Sequence, residues 1–225
     1  MLRVIYWQMR GMLLVSVFFF FALSCHREAK AQVLFKEDFE QGIGPQWKKV
    51  EFTGETQHTI RKEGTTNSFV EARAESSASG LAVKLDSISA DGTVLRWRWK
   101  IDRVPPGASD SDIKKFDHTG RVFVAFKTLI GPPRSINYVW ANETAVGRIF
   151  EHPSSGRSRF VVLENGNAKA GKWIMEERDV AADWKLLFRD DKAPAIVGLG
   201  FMTDSDGTHT TVAGSYDDLE LRSEK

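Results

Sequence analysis

The sequence predicts an all-β fold: a single-domain antiparallel β-sandwich of the jelly-roll or lectin-like kind, with one short helix. Two observations support this prediction. From residue 32 onward, short alternating or apolar runs recur with turn residues between them. Helical periodicity is nearly absent from the same region. Many short strands at such spacing are typical of sandwiches and jelly rolls.

The clearest strand is residues 95–101, LRWRWKI. Because successive side chains of a strand point to opposite faces, the apolar residues share one face and the basic residues share the other. We therefore expect a central strand with Trp97 and Trp99 in the core. Its outer face would then carry a row of three cations: Arg96, Arg98 and Lys100.

The other elements follow from runs of similar length. An apolar stripe at Trp184, Leu187 and Phe188 has helical spacing and predicts the one short helix, over residues 183–189. The long connection 103–120 is either functional or a solvated crossover between the sheets. Strands are predicted at 33–39, 56–61, 68–74, 81–86, 94–102, 121–129, 136–141, 158–164, 173–180, 195–203 and 210–222.

The N-terminus has the pattern of a signal peptide. Arg3 and Arg10 precede an apolar run at 12–24, which is too short to span a bilayer but fits the apolar region of a leader. The small-x-small pattern that ends at Ala31 predicts a signal peptide at 1–31 and a mature domain at 32–225. A lipobox-like stretch that ends at Cys25 is the alternative, and it would anchor the protein by lipid. Either way we expect an exported protein, periplasmic or extracellular.

Composition excludes several classes of protein. Cys25 is the only cysteine, so the mature domain has no disulfide, no cysteine nucleophile and no cysteine-rich zinc site. Residues 1–31 hold four basic residues and one acidic residue, and their removal leaves 27 basic and 29 acidic residues. Nearly neutral proteins are poor candidates for sequence-independent nucleic-acid binding. We therefore expect no nucleic-acid partner.

Several motifs in order resemble a bacterial exported family catalogued as domain of unknown function 3047. They are Trp97-Arg98-Trp99-Lys100-Ile101-Asp102, Asp117 before Arg121-Val122-Phe123-Val124, Asn137-Tyr138-Val139-Trp140, Arg178-Asp179-Val180 with Asp183, and Thr203-Asp204-Ser205-Asp206 with a closing Tyr216-Asp217-Asp218. The resemblance covers essentially the whole mature chain. It implies an exported β-sandwich and no assigned activity. Asp117-His118 and Arg178-Asp179-Val180 depart from the expected Asp-Asp and Arg-Asn-Val.

The outer face of the strand at 94–102 is the candidate binding surface. Arg98 and Lys100 share this face, and a neighbouring strand could bring Arg121 alongside. Arginine, asparagine and aspartate side chains bind hydroxyl groups and carboxylates. A network of ion pairs between strands is the alternative interpretation. With Trp140 as a candidate sugar-stacking ring, the predicted ligand-binding residues are Arg98, Lys100, Asp117, Arg121, Asn137, Trp140, Arg178, Asp204 and Asp206.

A structural calcium ion is the one cofactor that the sequence suggests. Acidic residues lie near both ends of the mature domain, and calcium accepts six to eight oxygen ligands, including carboxylates. The candidate ligands are Asp38, Glu40 and Asp218. Solvated acids at strand ends are the alternative.

These patterns favour an exported, non-catalytic domain that binds a carbohydrate or another polyhydroxylated or anionic ligand. The first alternative is a glycan-active enzyme that uses Asp117, Asp204 or Asp206, with His118 and His209 as candidate bases. The second alternative is a cell-envelope domain whose partner is a protein. Familiar catalytic motifs such as Gly-x-Ser-x-Gly and His-Glu-x-x-His are absent from the sequence. A membrane is expected as a partner only through a lipid at Cys25.

Overall fold

Two β-sheets face each other in the computed structural model, which describes residues 31–224. The predicted leader 1–31 lies outside the described residues apart from Ala31. The strands are β1 Gln32–Glu37, β2 Trp47–Thr53, β3 Gln57–Glu63, β4 Asn67–Glu75, β5 Ala78–Ile88, β6 Thr93–Ile101, β7 Gly120–Phe126, β8 Arg134–Ala141, β9 Ile149–His152, β10 Ser155–Asn165, β11 Ile174–Asp179, β12 Ile196–Asp204 and β13 Thr211–Ser223. One α-helix, α1 Val180–Phe188, and a 3-10 turn, Ile113–Lys115, complete the elements.

The strands divide into a six-stranded and a seven-stranded sheet. Sheet A has the order β11-β6-β13-β4-β3, and β1 also pairs with β13. Sheet B has the order β2-β5-β12-β7-β8-β10-β9. Neighbours pair antiparallel except β8 and β10, which are parallel. The predicted all-β, antiparallel sandwich with one short helix is therefore confirmed.

Strand β6 occupies the interior position that its alternation predicts. It lies between β11 and β13 in sheet A. Trp97 and Trp99 are completely buried, and their rings pack edge to face with centroids 5.5 Å apart. Trp99 also meets Trp140 of sheet B across the core, at 5.9 Å. Burial of such large rings between the sheets is a main source of stability in a sandwich.

Helix α1 closes one end of the core. Its first turn is capped by the Asp179 carboxylate, which accepts a hydrogen bond from the Ala182 N–H at 2.9 Å. Trp184 is buried against Phe126, with centroids 4.7 Å apart. The helix ends at Arg189, whose backbone is left-handed with φ 55°. The predicted helix is thus present, and the cap makes it begin three residues earlier than expected.

The sequence did not predict strands β2 and β9. Both lie at the edges of sheet B, where a strand has only one hydrogen-bonded neighbour. Most side chains of β2 are exposed apart from the buried Trp47, and β9 has only four residues. The alternation of buried and exposed residues that marks an interior strand is therefore weak in both. Among residues 31–224, the structure contains no helix that is long and apolar enough to cross a membrane.

Candidate functional site: a cleft on the seven-stranded sheet

The outer face of sheet B carries a cleft with a volume of about 690 Å³. On the central strand β12, the absence of a side chain at Gly200 leaves room for the neighbouring Phe123 ring. A Cβ atom at Gly200 would come within 2.4 Å of the Phe123 ring, so the glycine lets this ring lie against the backbone. The side chains that shape the cleft are Phe52, Phe116, Phe123, Phe160, His152, Asp117, Arg121, Asn137, Asp204 and Asp206.

Arg121 is the cation of the cleft. It projects from β7, and its Nη2 donates to Asp204 Oδ2 at 2.8 Å and lies 3.4 Å from His118 Nδ1. The guanidinium carbon lies 5.5 Å from the centre of the Phe160 ring. Nη1 contacts only the soft Met202 sulfur, at 3.6 Å, and Nε has no hydrogen-bond partner among the described residues. Arg121 is therefore a largely buried cation with part of its donor capacity unused.

Asp204 and Asp117 already serve as acceptors for neighbouring groups. Asp204 accepts from the His118 backbone N–H at 2.9 Å as well as from Arg121. Burial raises the pKa of Asp204, and the Arg121 cation opposes this rise. Asp117 accepts from the Thr208 N–H and hydroxyl, both at 2.7 Å, and from the Gly207 N–H at 3.1 Å. Both carboxylates therefore hold the loops at this end of the cleft in place.

The long connection 103–120 is anchored beneath the same end. Asp110 accepts from the backbone N–H groups of Asn142, Glu143 and Thr144 at 2.9 to 3.2 Å. Its carboxylate also lies 3.1 Å from His118 Nε2. Burial alone would raise the pKa of Asp110, but the contact with His118 and the hydrogen bond from Thr144 hold this pKa well below its usual range. His118 is completely buried, so it is not placed to act as a base on a ligand. The other candidate base, His209, is exposed.

The predicted acids Asp117, Asp204 and Asp206 do come together. Their oxygens lie within 4.8 Å of one another, the one such group of potential metal ligands among residues 31–224. Carboxylate oxygens suit calcium. However, Asp204 is paired with Arg121 and Asp117 already accepts three hydrogen bonds, so the arrangement fits a polar wall better than a cation cage.

The predicted face that would combine Arg98 and Lys100 with Arg121 is wrong. Arg98 and Lys100 lie on the outer face of sheet A, whereas Arg121 belongs to sheet B. Arg98 pairs with Asp217, and its guanidinium stacks 4.5 Å from the Trp173 ring, which Lys100 also approaches at 4.7 Å. Alternation shows which residues share a face of a strand, but it does not show which sheet the strand joins. The ion-pair interpretation describes Arg98, and the cleft contains Arg121 and Asn137.

Trp140 and Arg178 also lie away from the cleft. Trp140 is completely buried in the core, where its Nε1–H donates to the Gly166 carbonyl at 2.8 Å, so it offers no surface on which a sugar could stack. Its neighbour on the same strand face, Tyr138, is equally buried and donates to Asp183 at 2.9 Å. Arg178 pairs with the same Asp183 beside α1. This face of β8 points between the sheets. The sequence of β8 alone does not show which of its two faces is the buried one.

The predicted calcium ligands have partners within the chain. The Asp38 carboxylate lies 3.1 Å from Lys36 Nζ, and Glu40 accepts from the Ser68 N–H at 2.7 Å. Asp218 lies 3.1 Å from Arg98 Nε. Calcium at Asp38, Glu40 and Asp218 therefore stays a prediction, and binding would have to compete with these contacts.

Sequence reasoning missed the aromatic side of the cleft. Phe160 stacks on Phe150 with centroids 5.0 Å apart, and Phe116 meets Phe160 edge to face at 5.3 Å. The position of Phe123 could have been predicted, because it alternates with the buried Val122 and Val124 within a predicted strand and therefore lies on the outer face. Phe116 comes from a loop, Phe150 from the edge strand β9 and Phe160 from β10, and only tertiary packing sets the positions of these rings over the sheet.

The fold and the cleft define a β-sandwich with a polar and aromatic cleft on one sheet. The chain belongs to the family described as Protein of unknown function (DUF3047), whose match covers residues 45–220. The resemblance drawn from the sequence motifs is therefore confirmed. No curated protein matches the chain.

Among solved structures, the chain is similar to several proteins at low identity. A family 11 carbohydrate-binding module from Clostridium thermocellum, in complex with a mixed-linked tetrasaccharide, is 14% identical, with 85% of this chain and 94% of that chain covered and a TM-score of 0.42. Cellulose induced protein, Cip1, is 12% identical, with 83% and 96% covered and a TM-score of 0.49. The xyloglucanase domain of NopAA from Sinorhizobium fredii is 10% identical, with 79% and 92% covered and a TM-score of 0.43. Similarities at this level do not transfer a ligand.

Proposed function

We propose that this protein is an exported, non-catalytic domain that binds a glycan in the cleft of sheet B. The observation that carries the proposal is Arg121, a largely buried cation that lines the cleft beside exposed and half-buried aromatic rings, with its Nη1 bonded only to the Met202 sulfur. Sugars present hydroxyl groups at their edges and C–H groups on their ring faces. A site with fixed donors and aromatic rings matches both kinds of surface.

The size and composition of the cleft support the same proposal. About 690 Å³ lies within the range of small-ligand sites. Asn137 is held on the floor by a hydrogen bond from its amide to Ser135 Oγ at 3.0 Å. Phe52 stands at the rim with 70% of its surface exposed, where a sugar ring could cover it. The cleft thus offers donors, acceptors and apolar surface along one wall of the molecule.

Binding fits the carboxylates better than hydrolysis does. A glycosidase needs one carboxyl group that transfers a proton and a second that acts as nucleophile or base. In this cleft Asp117 and Asp204 are committed to backbone donors and to Arg121. Asp206 is half-buried, and it is the one acid of the three that makes no such hydrogen bond to the described residues. It therefore remains the candidate for a catalytic carboxyl group. We therefore treat hydrolysis as an outcome that the experiment must be able to detect.

The test is a glycan-array screen followed by titration calorimetry on the glycans that bind. The cleft variant is Phe52→Ala with Asn137→Ala, which avoids Arg121 because its removal would leave Asp204 buried and unpaired. Loss of a stacking ring and an amide should weaken binding about tenfold or more. A matched control, Lys100→Ala with Met175→Ala on sheet A, should leave affinity unchanged. Thermal midpoints are measured for all three proteins.

Three results would contradict the proposal. The first is that the parent protein binds no glycan on the whole array. The cleft variant, folded as well as the parent, could bind with unchanged affinity. Finally, release of new reducing ends from a bound glycan, abolished by Asp206→Asn, would assign the cleft to an enzyme instead.

A further inference from the structure

The turn between β7 and β8 carries two fully solvated aliphatic side chains. Leu129 and Ile130 are 103% and 88% exposed, the highest values among the large apolar residues of the described chain. We call this pair the apolar tip. An isolated exposed side chain is ordinary, but two adjacent aliphatic residues at the end of a projecting turn form a surface that water disfavours.

The turn that holds the apolar tip is braced on both sides. The Thr128 hydroxyl donates to the carbonyl of Gly131 at 2.9 Å and lies 3.2 Å from that of Pro132. Arg157 reaches across from β10 to donate to the Pro132 carbonyl at 2.9 Å. The proline pair at 132–133 further restricts the backbone. The side chains of Leu129 and Ile130 therefore have no route to the core while this turn is intact.

Basic residues lie near the base of the turn. Arg134 and Arg159 both stack on the Phe188 ring at 5.5 Å, and Arg189 follows directly in the chain. Burial and then the repulsion from Arg134 and Arg189 lower the pKa of Arg159, as expected when cations crowd together. We call the exposed cations near this turn the basic rim: Lys127, Arg134, Arg157 and Arg189.

Acidic residues near the turn do not neutralise the basic rim. Glu151 pairs with Arg159, and Asp191 lies 2.7 Å from Lys185 Nζ. Asp190 accepts from the backbone N–H of Lys192. Among the described residues, no carboxylate lies within 4.0 Å of a cationic nitrogen of Arg134 or Arg189. An apolar turn beside cations without carboxylate partners is complementary to an apolar layer beneath anionic head groups.

We propose that the apolar tip inserts into an anionic phospholipid surface while the basic rim contacts the lipid phosphates. Transfer of aliphatic side chains out of water drives insertion. Each cation near an anionic bilayer strengthens binding about fivefold. Pro132 and Pro133 also line one end of the cleft of sheet B, so insertion would place that cleft beside the membrane surface. The inference does not depend on what the cleft binds.

The experiment places a fluorescent reporter on the apolar tip of the full chain. In a Cys25→Ser background the chain has no other thiol, and this change also prevents lipid attachment at that residue. Ile130→Cys is labelled with an environment-sensitive dye, and Val146→Cys, at another exposed apolar site, is the matched control. The vesicles contain phosphatidylglycerol and phosphatidylethanolamine, and pure phosphatidylcholine vesicles are the comparison.

The expected result is a blue shift of the dye at position 130 with anionic vesicles, reduced by high salt, and none at position 146. Leu129→Ser should weaken the vesicle response at position 130 about tenfold. Arg134→Gln with Arg189→Gln should weaken it about fivefold for each cation removed.

Three results would overturn the inference. One is an unshifted dye at position 130 with anionic vesicles. Another is an equal shift with phosphatidylcholine, which would remove the role of the basic rim. The last is a dye already shifted without vesicles, which would show that residues 12–24 or a second copy covers the tip; sedimentation in the absence of lipid distinguishes these two.

Discussion

Glu176 provides a sensitive test of the packing between the sheets. It lies on β11, where its carboxylate accepts a hydrogen bond from Trp99 Nε1 at 3.2 Å. Burial raises its pKa to about 7, and the neighbouring Glu164 adds to this rise. The Trp99 hydrogen bond and the nearby Lys169 and Arg178 cations act in the opposite direction. The folded protein therefore prefers Glu176 protonated over a pH range where the unfolded chain ionises it.

The sign of the effect follows from proton linkage. The unfolded glutamate has a pKa of about 4.3. Between this value and about 7 the folded state binds more protons than the unfolded state, so the free energy of unfolding falls as pH rises. Each unit of pKa shift corresponds to about 1.4 kcal/mol. Because Glu176 is only partly buried, we reduce the total to about 2 kcal/mol of stability, present at low pH and lost by about pH 8.

The assay is urea unfolding of Glu176→Gln and the parent between pH 5 and pH 8. Glutamine keeps the acceptor for Trp99 but has no charge, so the variant should gain about 2 kcal/mol over the parent at pH 8 and little at pH 5. Glu177→Gln, on the exposed neighbour, is the matched control. His58 contributes the opposite slope, because burial lowers its pKa to about 4 and stability is lost as pH falls below about 6.5. This contribution is common to all three proteins and cancels in the differences. Parallel pH profiles for Glu176→Gln and the parent would show that the Glu176 carboxyl has no raised pKa in the folded protein.

Two further predictions concern the core and the metal. Trp97→Ala should lower the free energy of unfolding by about 3 to 5 kcal/mol. Trp97→Phe should lower it by less, because the buried indole N–H has no partner among the described residues that the phenyl ring would leave unpaired. Chemical denaturation measures both variants, and an equal loss of stability in the two would contradict this prediction. If calcium binds at Asp38, Glu40 and Asp218, calcium at a hundredfold excess over its dissociation constant should stabilise the fold by about 2.7 kcal/mol. The check is the thermal midpoint with calcium and with chelator, and the same midpoint in both would exclude the site.

The sequence predicted the candidate site in part. Asp117, Arg121, Asn137, Asp204 and Asp206 line one cleft, but on sheet B and not beside Arg98 and Lys100 as predicted. The sequence could predict that these residues come together, because strand ends and loops of a sandwich gather at its edges. The sequence could not predict the aromatic half of the cleft, because Phe116 reaches it from a long loop and Phe160 from a strand that pairs in parallel with β8.

The class of fold and the identity of the interior strands follow from local patterns in the sequence. The alternation in β6 requires one buried face and one exposed face, and this is a local property of an extended chain. Which sheet a strand joins is decided by pairing between residues far apart in sequence, such as Gly214 with Ile101 and Arg121 with Val139. Local patterns carry no information about that choice. The separation of Arg98 from Arg121 and the burial of Trp140 therefore depend on long-range strand pairing and could not be predicted from local patterns.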